Sequence, residues 1–110
     1  MTWRKSAGNK YGNKRVEVDG HNFASKKEAN RYYLLRWRQE AGEISDLKLQ
    51  PRYPMVVEGE KICVYVGDFE YRENGSGKTI TEDSKGVKTD VFVLKAKLFR
   101  ALYGREIVLT

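Results

Sequence analysis

The spacing of apolar residues after position 25 predicts a helix. Ser25-Lys26-Lys27-Glu28 has the form of a capping box, in which the serine oxygen accepts a hydrogen bond from the backbone N–H three residues later. Apolar residues then form a broad face that extends to about Ala41, and we expect Trp37 to lie in the core. Gly42 stands where a left-handed residue commonly ends a helix.

A second helix is predicted near the end of the sequence. Thr89 or Asp90 supplies its N-cap, and Gly104 follows its last turn. Elsewhere apolar and polar residues alternate, which is the period of a β-strand. The predicted strands are Val16–Val18, His21–Phe23, Ile44–Leu49, Tyr53–Val57, Ile62–Val66 with a continuation through Asp68–Tyr71, Thr79–Lys85 and Glu106–Leu109.

This order of elements predicts an α/β (α+β) fold, with a mixed sheet and helices packed on it. A hairpin precedes the first helix, three or four strands follow it, and one strand follows the second helix. Residues 15–110 are expected to form a single domain. Residues 1–14 are expected to be a flexible basic leader, because their Gly-Asn pairs favour turns and few of their residues could be buried.

The segment Gly75-Ser76-Gly77-Lys78-Thr79 looks like the end of a phosphate-binding loop. The full pattern needs a glycine five positions before Gly77, where this chain has Arg72. It also needs a helix directly after the loop, whereas the pattern here predicts a strand. We therefore interpret the segment as a hairpin turn.

Composition removes several classes of function. The only cysteine is Cys63 and the only histidine is His21, which excludes an internal disulfide framework and a thiolate zinc site within one chain. We expect Cys63 to be a packed strand residue and His21 a turn residue. No apolar run approaches the length of a membrane span, and the polar start is not a signal peptide, so we expect a cytoplasmic protein without a membrane partner.

The positive charge is concentrated in one half of the chain. The formal net charge of +6 belongs entirely to residues 1–54, and Lys27 on the exposed side of the first helix is one of the basic residues that contribute to it. Such a distribution suits a polyanion, most often nucleic acid, although a solvated tail explains it as well. The leader contributes five basic residues and no acid, namely Arg4, Lys5, Lys10, Lys14 and Arg15.

Two carboxylates flank the predicted turn. If the turn pairs its two strands, Asp68 stands near Asp83, and alternation places Lys85 on the same face as Asp83. Two carboxylates beside a lysine suit a divalent metal site, because Mg²⁺ prefers hard oxygen ligands and retains several waters. The alternative is a pair of solvated acids with Lys85 as a cross-strand ion-pair partner. Glu28 is a candidate third carboxylate, although its place in the capping box also explains it.

These residues follow the pattern of the PD-(D/E)XK nucleases in their order, with Glu28 on the first helix, then Asp68, then Asp83-Ser84-Lys85. From about Tyr11 to the C-terminus the chain resembles a small family of uncharacterised phage and prophage proteins grouped with those enzymes. It is also similar to the endonuclease subunit of Tn7-type transposases and, more distantly, to phage Holliday junction resolvases. The segments that carry the resemblance are Tyr11–Lys14, Phe23–Ala29, Gly42–Ile44, Leu49–Pro51 and Asp83–Gly86.

The chain departs from the nuclease pattern in two places. Gly67 occupies the position of the proline after which the motif is named. Glu82 directly precedes Asp83, so a one-residue bulge would present Glu82 in its place. The register of this strand is therefore open at the level of sequence.

The resemblance implies a restriction-endonuclease-like core and a DNA endonuclease that depends on Mg²⁺ or Mn²⁺. Asp68 and Asp83 would coordinate the metal together with the backbone carbonyl of Ser84, and Glu28 would bind it directly or through water. Lys85 would orient or deprotonate the attacking water and stabilise the transition state. Residues expected to face the site or the phosphate backbone are Gln50, Lys88, Thr89 and Lys95.

The resemblance further implies phage recombination or replication, with branched or duplex DNA as the partner and the host cytoplasm as the location. A homodimer is expected, because two symmetric cuts require two sites. The main alternative is a non-catalytic nucleic-acid-binding module that retains the nuclease fold, in which Trp3, Tyr11 and Arg15 clamp phosphates and stack on bases. A protein-interaction factor is a third alternative.

Overall fold

In the computed structural model, residues 15–110 are described, and they fall into two compact units that divide between Trp37 and Arg38. The prediction for residues 1–14 lies outside the described residues, and the single domain over 15–110 stays a prediction. The elements in chain order are β1 (Val16–Val18), β2 (His21–Phe23), α1 (Lys26–Glu40), β3 (Ile44–Leu49), β4 (Arg52–Val57), β5 (Glu60–Val66), β6 (Phe69–Glu73), β7 (Thr79–Asp83), α2 (Asp90–Tyr103) and β8 (Ile107–Leu109).

The first unit contains the predicted hairpin and most of α1. Strands β1 and β2 pair antiparallel, and the turn between them uses Asp19 at φ 53° and Gly20 at φ 80°. Asp19 also connects the turn to α1, because its carboxylate accepts a hydrogen bond from the Tyr32 hydroxyl at 2.9 Å. Phe23 packs against Tyr32 with 5.1 Å between ring centroids, so the hairpin covers one face of α1.

The capping box is present at the start of α1. The backbone N–H of Glu28 donates to Ser25 Oγ at 3.2 Å, and Glu28 Oε1 accepts from the backbone N–H of Ala24 at 2.9 Å. The carboxylate therefore reaches one residue further back than the usual reciprocal bond to the cap residue itself. The Glu28 N–H is one of the groups that a helix N-terminus leaves without an intrahelical partner, whereas the Ala24 N–H belongs to the residue before the cap.

Trp37 is not a core residue, which corrects the sequence prediction. Its side chain is 73% exposed, whereas Ala29, Tyr32 and Leu35 are buried. At 3.6 residues per turn, Trp37 lies roughly 200° around the helix axis from Leu35 and faces away from the buried side. The predicted apolar face was too broad because it combined two opposite faces of α1.

The second unit contains a four-stranded mixed sheet, which confirms the predicted α+β class. The strand order is β3-β6-β7-β8, with antiparallel pairing except between β7 and β8, which run parallel. Strands β4 and β5 form a separate antiparallel hairpin, and α2 contacts β4 and β8. The core of this unit consists of Tyr53, Met55, Tyr65, Phe92 and Phe99, with Cys63 packed against it as expected.

Five strands, rather than three or four, lie between the helices. The predicted continuation of one strand through Asp68 is wrong, because the chain changes partners there. The backbone N–H of Gly67 donates to Pro51 O at 3.0 Å, beside β4, and that of Asp68 donates to Glu82 O at 2.9 Å, beside β7. A Cβ at position 67 would stand 3.3 Å from Thr81 Cγ2, so glycine suits this close crossing.

The ends of β7 and α2 follow the local sequence. Gly77 adopts φ 75° and a strand follows it, so the segment before β7 is a hairpin turn and not a phosphate loop. Strand β7 ends at Asp83, two residues earlier than predicted. Thr89 caps α2 by accepting the Phe92 N–H, and Gly104 ends it at φ 73°.

We predict that Ser25→Ala lowers the free energy of unfolding by about 1 kcal/mol, because the Glu28 N–H loses its side-chain acceptor. Urea denaturation at neutral pH measures the change. Ser25→Thr is the matched control, because it retains a hydroxyl at the cap and should stay close to the wild type. Equal unfolding free energies for Ser25→Ala and the wild type would contradict the capping role.

Candidate active site

The pairing of β6 with β7 brings Asp68 and Asp83 together, as the sequence predicted. Phe69 pairs with Glu82 at the end of the ladder, and the Asp68 N–H just beyond it donates to the Glu82 carbonyl at 2.9 Å. The Asp68 carboxylate lies close enough to Asp83 to raise the pKa of that acid. The carboxylate of Asp68 accepts the backbone N–H of Ser84 at 2.7 Å. Both acids are therefore held where the two strands meet the segment that follows β7.

Asp83 is fixed by two further side chains. It is buried at 3% exposure, and its Oδ2 accepts a hydrogen bond from the Tyr65 hydroxyl at 2.6 Å. Lys85 Nζ lies 3.8 Å from the same oxygen, so the predicted sharing of one face by Asp83 and Lys85 is confirmed. The lysine ammonium also lies 5.1 Å from the ring centroid of Phe92 on α2.

The surroundings of Asp83 disfavour its charged form. Burial raises the pKa of Asp83, and the hydrogen bond from Tyr65 opposes that shift; the nearby Asp68 adds to the rise, whereas Lys85 lowers it. Burial and the Asp83 carboxylate together raise the pKa of the Tyr65 hydroxyl, which therefore remains a proton donor. A divalent ion beside the two acids would offset the charge that burial disfavours.

Glu82 belongs to the opposite face of β7. It is 1% exposed and accepts a hydrogen bond from the Tyr71 hydroxyl. The structure thus brings Asp83, rather than Glu82, together with Asp68 and Lys85. No bulge interrupts the β6–β7 pairing, which is regular from Phe69 to Arg72.

Ser84 and Gln50 adjoin the acid pair through the backbone. The Ser84 N–H donates to Asp68, and its hydroxyl lies 2.9 Å from Thr110 Oγ1. The Gln50 N–H donates to the Asp68 carbonyl at 2.9 Å, and Gln50 adopts a left-handed φ of 52° just before Pro51. This bond brings the Gln50 backbone next to Asp68, and a role of Gln50 in lining the site stays a prediction.

A cleft of about 250 Å³ opens between β5 and the first turns of α2. Its lining includes Tyr65 and Lys85, which both contact Asp83, together with Thr89 and Lys95. Lys95 Nζ donates to the Val64 carbonyl at 3.0 Å, so a second ammonium is held at the wall of this cleft. Two cations and a helix N-terminus facing one cleft are suited to an anionic ligand.

Lys88 does not line this cleft, although we expected it to face the phosphate backbone together with Thr89 and Lys95. It lines a different groove of about 260 Å³, whose lining combines residues of α2 with Ile107 and Leu109 near the end of the chain. Lys88 precedes the N-cap by one residue, and consecutive residues there project in different directions. Its contact with the same phosphate group as Lys95 is therefore not supported.

Glu28 lies in the first unit, where it completes the capping box. Its role as a third metal ligand stays a prediction. Arg15 and Lys27 are exposed residues of the same unit, consistent with the basic surface expected there. The remaining predicted basic contacts lie outside the described residues, namely Arg4, Lys5, Lys10 and Lys14.

The donor set in the second unit fits a hard divalent cation. Across residues 15–110 no group of three or more His, Cys, Asp and Glu side chains is arranged to hold a metal. The pair of Asp68 and Asp83 nevertheless matches what Mg²⁺ commonly uses, which is one or two carboxylates with water in the remaining positions. The buried Asp83 carboxylate beside a second acid supplies the negative charge that such an ion needs.

Sequence reasoning missed the tyrosine hydroxyls of the β4–β5 hairpin. Tyr65 donates to Asp83, and Tyr53 donates to Glu70 Oε1 at 2.6 Å and lies 2.8 Å from Thr81 Oγ1. Burial and the bond to Glu70 raise the pKa of Tyr53 to about 12. The two tyrosines share a face of the hairpin because they pair directly across it, and no local signal in the sequence indicates which carboxylates their hydroxyls meet.

No helix in the described part of the chain is long and apolar enough to cross a membrane. Comparison with curated proteins gives no match, and comparison with solved structures gives none either. The sequence model of a protein family described as "Protein of unknown function (DUF1064)" matches residues 8–110. Because that match spans nearly the whole chain, the protein belongs to the DUF1064 family.

Proposed function

We propose that this protein is a metal-dependent DNA endonuclease with a PD-(D/E)XK-like core, which hydrolyses phosphodiester bonds. The observation that carries the proposal is the meeting of Asp68, Asp83 and Lys85 beside a cleft lined by cations. Burial of Asp83 next to a second carboxylate destabilises the folded protein when the two acids have no cation between them. A bound divalent ion would offset that destabilisation.

Asp68 and Asp83 are the residues that would hold Mg²⁺ or Mn²⁺, with the Ser84 carbonyl as a further ligand. When bound, such an ion polarises a phosphate oxygen and lowers the pKa of a coordinated water. Tyr65 would hold one oxygen of Asp83, which leaves the other oxygen available for the ion. The Ser84 N–H would fix Asp68 in the same way.

Lys85 would act on the attacking water and on the phosphate. Its side chain is 35% exposed, so the ammonium is held near Asp83 and is still accessible from the cleft. A cation there orients a water by hydrogen bonding and offsets the negative charge that develops on the phosphorane-like transition state. Lys95 and the N-terminus of α2 at Thr89 would bind neighbouring phosphates of the same strand.

The partner of this site is proposed to be DNA, either branched or duplex. The cations of the cleft favour a polyanion at the site, and the net charge of +6, which belongs to residues 1–54, favours one as the partner of the chain as a whole. The resemblance to junction resolvases motivates a role in phage recombination or replication in the host cytoplasm, and a homodimer that makes two cuts. A cleavage panel of four-way, flapped, nicked, linear and single-stranded DNA identifies the preferred structure.

We predict that Asp83→Asn and Lys85→Ala each lower the rate of Mg²⁺-dependent cleavage by at least about a hundredfold. The first removes a charged ligand, and the second removes the cation beside the attacking water. Gel electrophoresis of labelled DNA from the substrate panel measures the rates.

Asp46→Asn is the matched control for this experiment. Asp46 is an exposed acid at φ 57°, a conformation that asparagine tolerates well, so cleavage should remain at the wild-type rate. If Asp83→Asn and Lys85→Ala cut DNA as fast as Asp46→Asn, these residues do not form the active site.

We predict that Tyr65→Phe weakens Mn²⁺ binding by roughly 10- to 100-fold, because the Asp83 carboxylate loses the donor that orients it. Isothermal titration calorimetry measures the dissociation constant. Tyr103→Phe is the control, since Tyr103 belongs to the same aromatic cluster but donates to the Pro54 carbonyl instead of an acid. A wild-type chain that binds DNA but no Mn²⁺ would favour the non-catalytic binding module.

We predict that Glu28→Gln lowers the cleavage rate without lowering the free energy of unfolding. Glutamine can still accept the Ala24 N–H and complete the capping box, but it carries no charge for a metal. Cleavage assays and urea denaturation of the same preparation separate the two effects. Full cleavage by this variant would limit Glu28 to its capping role.

A further inference from the structure

Helix α1 carries a row of exposed residues on the side opposite its buried face. The residues recur at alternate steps of four and three, and every one of them is exposed; they are Lys26, Asn30, Tyr33, Trp37 and Glu40. This average spacing of 3.5 residues keeps a row of side chains facing a neighbouring helix along its whole length. The buried positions Ala29, Tyr32 and Leu35 belong to the other side of α1.

The centre of the row is strongly apolar for a surface. Trp37 is 73% exposed, Tyr33 is 53% exposed, and the adjoining Leu34 is 44% exposed. Tyr33 and Trp37 are four residues apart, so both side chains lie on the same face of α1, one turn from each other. Exposed large apolar residues on one face are typical of an interaction surface, and tryptophan and tyrosine are the residues that most often dominate binding energy.

The ends of the row carry opposite charges. Lys26 begins α1 and Glu40 ends it, and Tyr33 stands at the midpoint between them. If a second α1 lies antiparallel across a two-fold axis at Tyr33, each lysine meets the glutamate of the other copy. Trp37 of one copy then packs beside Asn30 of the other. The row is therefore complementary to itself, as an isologous interface requires.

We infer that α1 is the dimerisation surface of this protein and that its occupant is the antiparallel α1 of a second copy. A nucleic acid fits the row less well, because its apolar centre carries no cation and Glu40 would face the phosphates. The inference stands on α1 alone and does not depend on the proposed nuclease activity.

The size of the surface sets the expected strength of the dimer. Fifteen residues give a helix about 22 Å long, which is a small contact compared with the roughly 1,600 Å² of a standard interface. We therefore expect a reversible dimer with a dissociation constant on the order of micromolar. Self-association should depend on protein concentration.

Sedimentation equilibrium of the full chain over roughly a hundredfold range of concentration measures this association. Trp37→Ala should raise the dissociation constant at least about tenfold, because it removes the largest apolar side chain of the row. Leu94→Ala is the control, since Leu94 is 66% exposed on α2, and it should leave the constant unchanged. A wild-type chain that stays monomeric throughout, or variants that associate equally, would overturn the inference.

Charge reversal tests the antiparallel arrangement. Lys26→Glu places like charges together at both ends of the row and should weaken the dimer, whereas adding Glu40→Lys should restore it. Lys26→Glu places a negative charge at the N-terminus of α1, and Glu40→Lys places a positive charge at its C-terminus. The helix dipole stabilises both charges, so a weaker dimer would not result from unfolding of α1. Failure of the double variant to associate better than Lys26→Glu would contradict the pairing of these ends.

A cysteine cross-link locates the two-fold axis. In a Cys63→Ala background, Tyr33→Cys should form a disulfide between copies on mild oxidation. Lys26→Cys should not, because its two copies would lie about 21 Å apart along an antiparallel pair. Efficient cross-linking through position 26 alone would indicate a parallel arrangement and overturn the proposal.

Discussion

The antiparallel pairing of β6 with β7 is the constraint on which the rest of the candidate site depends. It brings Asp68 close to Asp83, just beyond the last paired residues of the ladder. It also sends Glu82 to the other face, where Tyr71 holds it. A shift of one residue would exchange these two acids and would leave Lys85 beside the wrong face of the strand. The chemistry therefore depends on strand register before it depends on any single contact.

The β4–β5 hairpin supplies the hydrogen-bond donors for the acids that the β6–β7 register brings together. Its tyrosines reach the carboxylates on one face of the sheet, Tyr53 toward Glu70 and Tyr65 toward Asp83. The same rings pack against Phe99 of α2, so one aromatic cluster both fills the core and supplies donors to the acids. Apolar burial thus holds the polar groups in place, because the rings cannot move without losing their packing.

The sequence predicted the pairing of the acids because alternation and a strong turn are local signals. It did not predict the break at Gly67, since a change of strand partner depends on contacts with Pro51 and Glu82 that are distant in the chain. The donor role of Tyr65 was missed for the same reason. The wrong expectation for Trp37 has a different origin, because helical periodicity alone does not show which of two apolar faces is covered.

In the proposed site, Asp68 and Asp83 together bind a divalent cation. Isothermal titration of the wild-type chain and of Asp68→Asn with Mn²⁺ distinguishes such a site from a pair of acids that binds no metal. Asparagine can still accept the Ser84 N–H, so the variant should keep the local backbone and lose only the charge. We expect saturable Mn²⁺ binding by the wild type and its loss in the variant. Equal binding by the two proteins, or binding by neither, would contradict the proposed metal site.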